Sequence, residues 1–184
     1  MTNFNIENEL RPNLSSGEKL LWTGKPKTGI VFRGSDAFLI PFSLLWGSFA
    51  IFWEASVIAT DAPFFFKLWG IPFVLVGLYI TVGRFFLDAK KRANTIYGIT
   101  PDRIIIKTGI FSSEIKSLNI RTLSDITVNQ KADNTGTITL GPTDFRSAIM
   151  QGMEWPGAKQ PPRLEFIEEV KSVYDKIIDI QRQK

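Results

Sequence analysis

AFLIPFSLLWGSFAIFWEASVIAT, residues 37–60, and FFFKLWGIPFVLVGLYITVGRFFL, residues 64–87, decide how the rest of this sequence is read. The first stretch carries one charge, Glu54, and the second is charged only near its ends, at Lys67 and Arg84. As helices rising about 1.5 Å per residue, each extends roughly 36 Å, enough to cross a bilayer with some tilt. Helices apolar on every face need either a large core or lipid around them, and the remaining chain is too short to supply the core. Only Asp61, Ala62 and Pro63 separate the two runs, so they form a tight antiparallel hairpin. Ser43, Gly47 and Ala50 on the first span, with Gly70, Gly77 and Gly83 on the second, provide small positions for close approach.

Charge placement orients the hairpin. Lys19, Lys25, Lys27 and Arg33 precede it and Lys90, Lys91 and Arg92 follow it, whereas the turn holds no basic residue except Lys67 at its edge. The excess of Lys and Arg on cytoplasmic flanks puts both termini in the cytosol. No basic, apolar and small-residue cleavage sequence stands at the start, so residues 1–36 read as a cytosolic N-terminal segment. An unpaired charge at mid-bilayer costs about 2.5–3.5 kcal/mol on insertion scales, so partners are expected for the four charges near the spans. Matching depths across the hairpin predicts two interhelical pairs, Glu54 with Lys67 and Asp36 with Arg84.

Composition narrows the chemistry of the remaining residues. The chain has 184 residues, no cysteine, no histidine and a net charge of +4. Disulfides, thiolate metal sites and a cysteine nucleophile are excluded, and the side chain best suited to acid–base work near neutrality is missing. No nucleophile is paired with a base, and no phosphate-cradling glycine motif or metal-ligand spacing is present. The expectation is a protein that is not an enzyme, without cofactor or small-molecule substrate. The strand aromatics are too few to make a stacking platform for nucleic acid.

After Lys90-Lys91-Arg92 the apolar period changes. Short β segments are read at 95–100, 103–107, 110–120, 125–130 and 135–140, with turn signals at Pro101-Asp102 and Thr108-Gly109. Residues 141–162 are rich in Gly and Pro and form an irregular excursion with a short strand at 144–150. Phe145, Met150, Met153 and Trp155 on this excursion are the candidate partner surface. Residues 163–181 read as a C-terminal amphipathic helix, with Phe166, Ile167, Val170, Val173, Tyr174, Ile177 and Ile180 spaced by threes and fours. The fold class is α+β: a two-helix transmembrane hairpin at 37–60 and 64–87, then a small antiparallel β-barrel domain at 93–184 capped by that helix.

Gly17-Glu18-Lys19-Leu20-Leu21-Trp22-Thr23-Gly24-Lys25-Pro26 before the first span, the paired spans themselves, Tyr97-Gly98-Ile99-Thr100-Pro101-Asp102-Arg103-Ile104-Ile105-Ile106-Lys107-Thr108-Gly109-Ile110-Phe111 after the second, and 118–130 together resemble a bacterial family of membrane-flanked pleckstrin-homology (PH)-like domains. The resemblance implies a PH-like fold and a membrane anchor but brings no reaction and no catalytic residues. It points to an interaction or assembly module at the cytosolic face of the bacterial inner membrane, binding a protein partner or its own copies. Relatives by fold often hold phosphoinositide headgroups on a basic early turn, and the corresponding turn at Thr108-Gly109-Ile110 has no such cluster. The alternative reading is recognition of anionic lipid by Lys90, Lys91, Arg92, Arg103, Lys107 and Arg121, each gaining on the order of 1 kcal/mol near a charged leaflet.

Overall fold

A computed structural model describes residues 3–60, 62–110, 112–142 and 161–183. The described residues divide into two compact units: residues 30–89, and the remainder.

The first of these is the hairpin. Helix α2 (Asp36–Ala59) packs against α3 (Phe64–Leu78), which continues through a π-helical turn (Tyr79–Gly83) into α4 (Arg84–Ala93). Two helices here, Asp36–Ala59 and Phe64–Ala93, are long and apolar enough to cross a membrane. Their large side chains point away from the pair, Phe38 being 72% and Phe64 76% exposed. Apart from Asp36 and Leu39 near the start of α2, what they bury is small: Ser43 and Ala50 on α2, Gly70 and Gly77 on α3. A Cβ on Gly77 would stand 3.1 Å from the Gly47 Cα, so glycine at both positions sets the interhelical spacing. Thr81, inside the π turn, donates its hydroxyl to Gly77 O at 2.7 Å and reaches Ser43 O at 3.2 Å.

The second unit is β-rich. Helix α1 (Asn3–Leu10) and strand β1 (Trp22–Gly24) precede the hairpin; β2 (Ile96–Ile99), β3 (Arg103–Thr108) and β4 (Glu114–Asn119) follow it. These strands form one antiparallel sheet in the order β1-β2-β3-β4. A second antiparallel sheet contains β5 (Ile126–Gln130), β6 (Gly136–Leu140) and β7 (Arg163–Ile167), and helix α5 (Val170–Arg182) ends the chain. Between the sheets lies a core of Tyr97, Ile99, Ile104, Ile106, Ile138, Leu140, Leu164 and Ile167, with Val170, Val173, Ile177 and Ile180 of α5 packed into it.

Three features differ from the sequence reading. Trp22–Gly24 is a strand, paired with β2 in the register Trp22↔Ile99, Thr23↔Gly98 and Gly24↔Tyr97, so the N-terminal segment completes the first sheet. The hairpin is therefore inserted between two strands that are hydrogen-bonded neighbours. Arg163–Ile167 is a strand and the C-terminal helix starts only at Val170; Phe166 and Glu169, at φ +49° and +47°, break the helix that the apolar spacing suggested. Finally, the sheets do not close into a continuous barrel. Lys27 N donates to Phe166 O at 2.9 Å and joins them on one side, but on the other β4 and β5 pair only with β3 and β6 among the described residues.

The Ile104-Ile105-Ile106 run is buried on both faces, which is why it reads as an unbroken apolar stretch. Ile104 and Ile106 face the main core, while Ile105 joins Ile6 and Leu10 of α1 and Ile96 in a second cluster outside the sheet.

Candidate functional site

The segments 17–26 and 97–111, singled out by their wording, meet in space. Glu18 and Arg103, 85 positions apart, form a two-pronged ion pair: Arg103 Nε donates to Glu18 Oε1 at 2.8 Å and Nη2 to Oε2 at 2.6 Å. The remaining Arg103 donors reach Asn13 O at 3.0 Å, Ser15 Oγ at 3.4 Å and Ser117 Oγ at 3.2 Å. Glu18 Oε2 also accepts from Ser15 N at 2.8 Å. The Arg103 fork holds the Glu18 carboxyl well below its ordinary value of 4.5, at about 2, with the Ser15 and Thr100 hydrogen bonds assisting against partial burial; Arg103 is raised in turn by Glu18. Thr100 closes the turn, accepting from Arg103 N at 3.1 Å. A groove of about 540 Å³ lies over this clamp, lined by Ser15, Ser16, Gly17, Lys19, Pro101 and Asp102.

The basic residues proposed for lipid contact are largely engaged elsewhere. Arg103 is held by Glu18. Lys107 Nζ donates to Glu9 O at 3.3 Å, and Arg121 Nη2 pairs with Asp102 Oδ1 at 3.4 Å. Arg92 is buried, donating to Gly29 O with its guanidinium 5.4 Å from the Phe166 ring centre. Lys90 is exposed and Lys91 half-buried. Nor do the six converge. Arg103 and Arg121 stand at the start of β3, whereas Lys107 lies opposite Ile96, four residues on and about 13 Å along the strand, at the end where 90–92 enter β2. Lys131, which the sequence reading does not single out, stands 5.0 Å from the Phe166 ring that Arg92 also faces, and Lys27, read as a flanking charge, lies 3.6 Å from Asp133 Oδ2.

Within the hairpin, Arg84 Nη1 lies 2.8 Å from Asp36 Oδ1, and Arg33 adds a second pair with Asp88 at 3.1 Å. Asp36 also accepts from Arg33 N at 2.6 Å. Glu54 and Lys67 form no ion pair. The Glu54 carboxylate lies against Gly70, one turn beyond Lys67, with Oε2 buried and unpartnered among the described residues. Depth alone predicts this pair, but the carboxylate meets α3 at Gly70 rather than at Lys67. The surface proposed at Phe145, Met150, Met153 and Trp155 lies outside the described residues, as does the strand expected at 144–150. Among the described residues no group of carboxylates is arranged to hold a metal ion.

Two antiparallel sheets closed on one side by a C-terminal helix define a PH-like module. The chain belongs to the bacterial PH domain family, whose pattern matches residues 39–177, from the first apolar helix into α5. PH-like domains serve in general as protein- or lipid-interaction modules and are generally non-catalytic. No curated protein matches the chain. A DUF1696 family protein with a pleckstrin-homology domain from Shewanella loihica aligns over 98% of each chain at 9% identity and a TM-score of 0.41, a likeness too low to carry an argument.

Proposed function

We propose that this chain is a non-enzymatic, membrane-anchored PH-like module of the bacterial inner membrane that holds a protein partner at the cytosolic face. One observation carries the reading: an apolar hairpin with outward-facing Phe, Leu and Trp side chains is spliced between two paired strands of the module. Two such helices in water would expose far more contiguous apolar surface than soluble proteins tolerate. Tethering at both sides of the insertion keeps the module beside the leaflet, where weak contacts gain effective concentration. Phe145, Met150, Met153 and Trp155 are the proposed partner surface. The engagement of Arg92, Arg103, Lys107 and Arg121 within the protein argues against a dedicated anionic headgroup site, and the basic residues at 90–92 serve as flanking charges that orient the hairpin.

The test is carbonate extraction of the full chain from bacterial membranes, with single cysteines at Lys19, Ala62 and Gln183 labelled by an impermeant maleimide. The reading expects retention in the membrane, labelling at positions 19 and 183 only in inverted vesicles, and labelling at 62 only from the outer side. Release by carbonate, or the opposite labelling, would sink it. Loss of a co-extracted partner on Trp155→Ala in a chain that remains folded would support the proposed surface.

A further inference from the structure

The first sheet ends on β4, whose outer edge has no partner among the described residues and whose residues 114–117 are exposed. Ladder alternation identifies the groups on that edge. Ile120 N donates to Asp102 O, and the β3 register places Ile104↔Leu118, Ile106↔Lys116 and Thr108↔Glu114 in the same phase. The even-numbered residues of β4 therefore bond inward to β3, and Ile115 and Ser117 present their N–H and C=O groups outward. Ile115 is also 44% exposed, and Glu114 and Lys116 sit 3.4 Å apart on the opposite face, both largely in solvent.

We infer that β4 is a self-complementary docking edge for a second copy of this chain. The argument is one of register. A two-fold axis through Ile115 makes an antiparallel pair in which Ile115 meets Ile115, Glu114 meets Lys116 and Lys116 meets Glu114. The outward N–H and C=O groups of Ile115 bond to their symmetry mates, Ser117 falls opposite Ser113, and the Glu114–Lys116 pair within one strand is exchanged for two between strands. Shifting the register by two residues sets Glu114 against Glu114 or Lys116 against Lys116, so charge selects the symmetric pairing. The proposal rests on the membrane-anchored reading for its concentration effect, since anchored copies share a surface and a modest edge contact suffices.

Because the chain contains no cysteine, Ile115→Cys in the full-length protein in its own membranes gives a direct test. In a hydrogen-bonded antiparallel pair the two Cα atoms are about 5.5 Å apart, inside the span a disulfide bridges. Mild oxidation is expected to give a dimer at least about tenfold above Val128→Cys, on the open edge of β5. Ser117→Cys mixed with Ser113→Cys is expected to cross-link where Ser117→Cys alone does not, which keeps the test valid if Ile115→Cys folds poorly. Glu114→Lys is expected to lower the yield about three- to tenfold, and adding Lys116→Glu to restore it. Equal cross-linking at positions 115 and 128, no dimer at 115 in a folded chain, or an adduct with a different polypeptide would each overturn the inference. A chain released by carbonate that still dimerises through position 115 would remove the anchor and leave the edge pairing intact. A membrane-retained chain with no dimer removes the pairing alone.

Discussion

Replacing Arg103 by Ala removes the clamp that ties residues 13–18 to β3, and its cost can be worked from the contacts. The guanidinium makes two charged hydrogen bonds to Glu18 and further bonds to Asn13 O, Ser15 Oγ and Ser117 Oγ. The fall of Glu18 from 4.5 to about 2 would correspond to about 3 kcal/mol in a dry site. Arg103 keeps 26% of its side chain in solvent and Glu18 9%, and screening brings the pair to about 1–2 kcal/mol. With the neutral hydrogen bonds added, the loss is about 2 kcal/mol, or roughly a thirtyfold rise in local opening. Hydrogen exchange on the full chain in micelles at pH 7 reads this directly: β1 and the β2–β3 ladder are expected to exchange about thirtyfold faster, while β6 changes little. The pH dependence has a definite sign. A carboxylate depressed in the folded state contributes stability above its unfolded value, so the benefit is complete above about 4.5 and fades as pH falls towards about 2. Wild type is expected to lose protection across that window and Arg103→Ala to lose much less. Unchanged exchange in β1 at pH 7, or equal acid sensitivity of the two proteins, would refute the claim that this ion pair fastens the N-terminal segment.

Other substitutions separate contacts that sequence spacing treats alike. Arg84→Gln strands the buried Asp36 carboxylate and is expected to cost about 2–4 kcal/mol in hairpin stability, whereas Lys67→Gln, which breaks no ion pair, should stay within about 0.5 kcal/mol; thermal unfolding in detergent compares them. Gly77→Leu pushes a side chain into Gly47 and should cost about 1–3 kcal/mol, seen as faster proteolysis of the hairpin. Glu169 holds φ at +47°, so Glu169→Gly is expected to stabilise the β-rich unit by about 0.5–1 kcal/mol in denaturant melts, and destabilisation would show that its side chain contributes more than its backbone costs.

What the sequence made legible divides by range. The two apolar runs and the strands from 96 to 140 are local signals, strong enough to stand without tertiary context. β1 is three residues long, too short for alternation to register, and its pairing with β2 is visible only once the intervening hairpin is seen as an insertion. Its one sequence signal was the family-like wording of 17–26. Arg163–Ile167 was misread because Leu164, Ile167 and Val170 fit a helix as well as Leu164 and Phe166 fit a strand, and nothing local decides between the two periods. The basic residues are hard to read for the opposite reason. Lys and Arg near a membrane span always satisfy a topology argument, and the partners that occupy Arg103 and Arg92 lie 85 and 63 positions away.

The insertion point raises a folding problem that the hairpin itself reduces. β1 and β2 must pair although the chain between them runs from 25 to 95, and closing a flexible loop of that length costs entropy that a three-residue strand repays poorly. At the open end of the hairpin, Arg33 bonds Asp88 at 3.1 Å and the Phe32 and Phe85 rings meet edge to face at 5.7 Å. Once these contacts form, positions 33 and 88 are already neighbours, and only two short connectors separate them from the strand ends. Loop entropy grows as (3/2)RT ln n, so shortening the effective loop from about 70 residues to about 15 recovers roughly 1.4 kcal/mol. That is comparable to what the Glu18–Arg103 pair supplies, and the two devices act on the same strand: one brings β1 to its place in the sheet and the other fastens the segment before it.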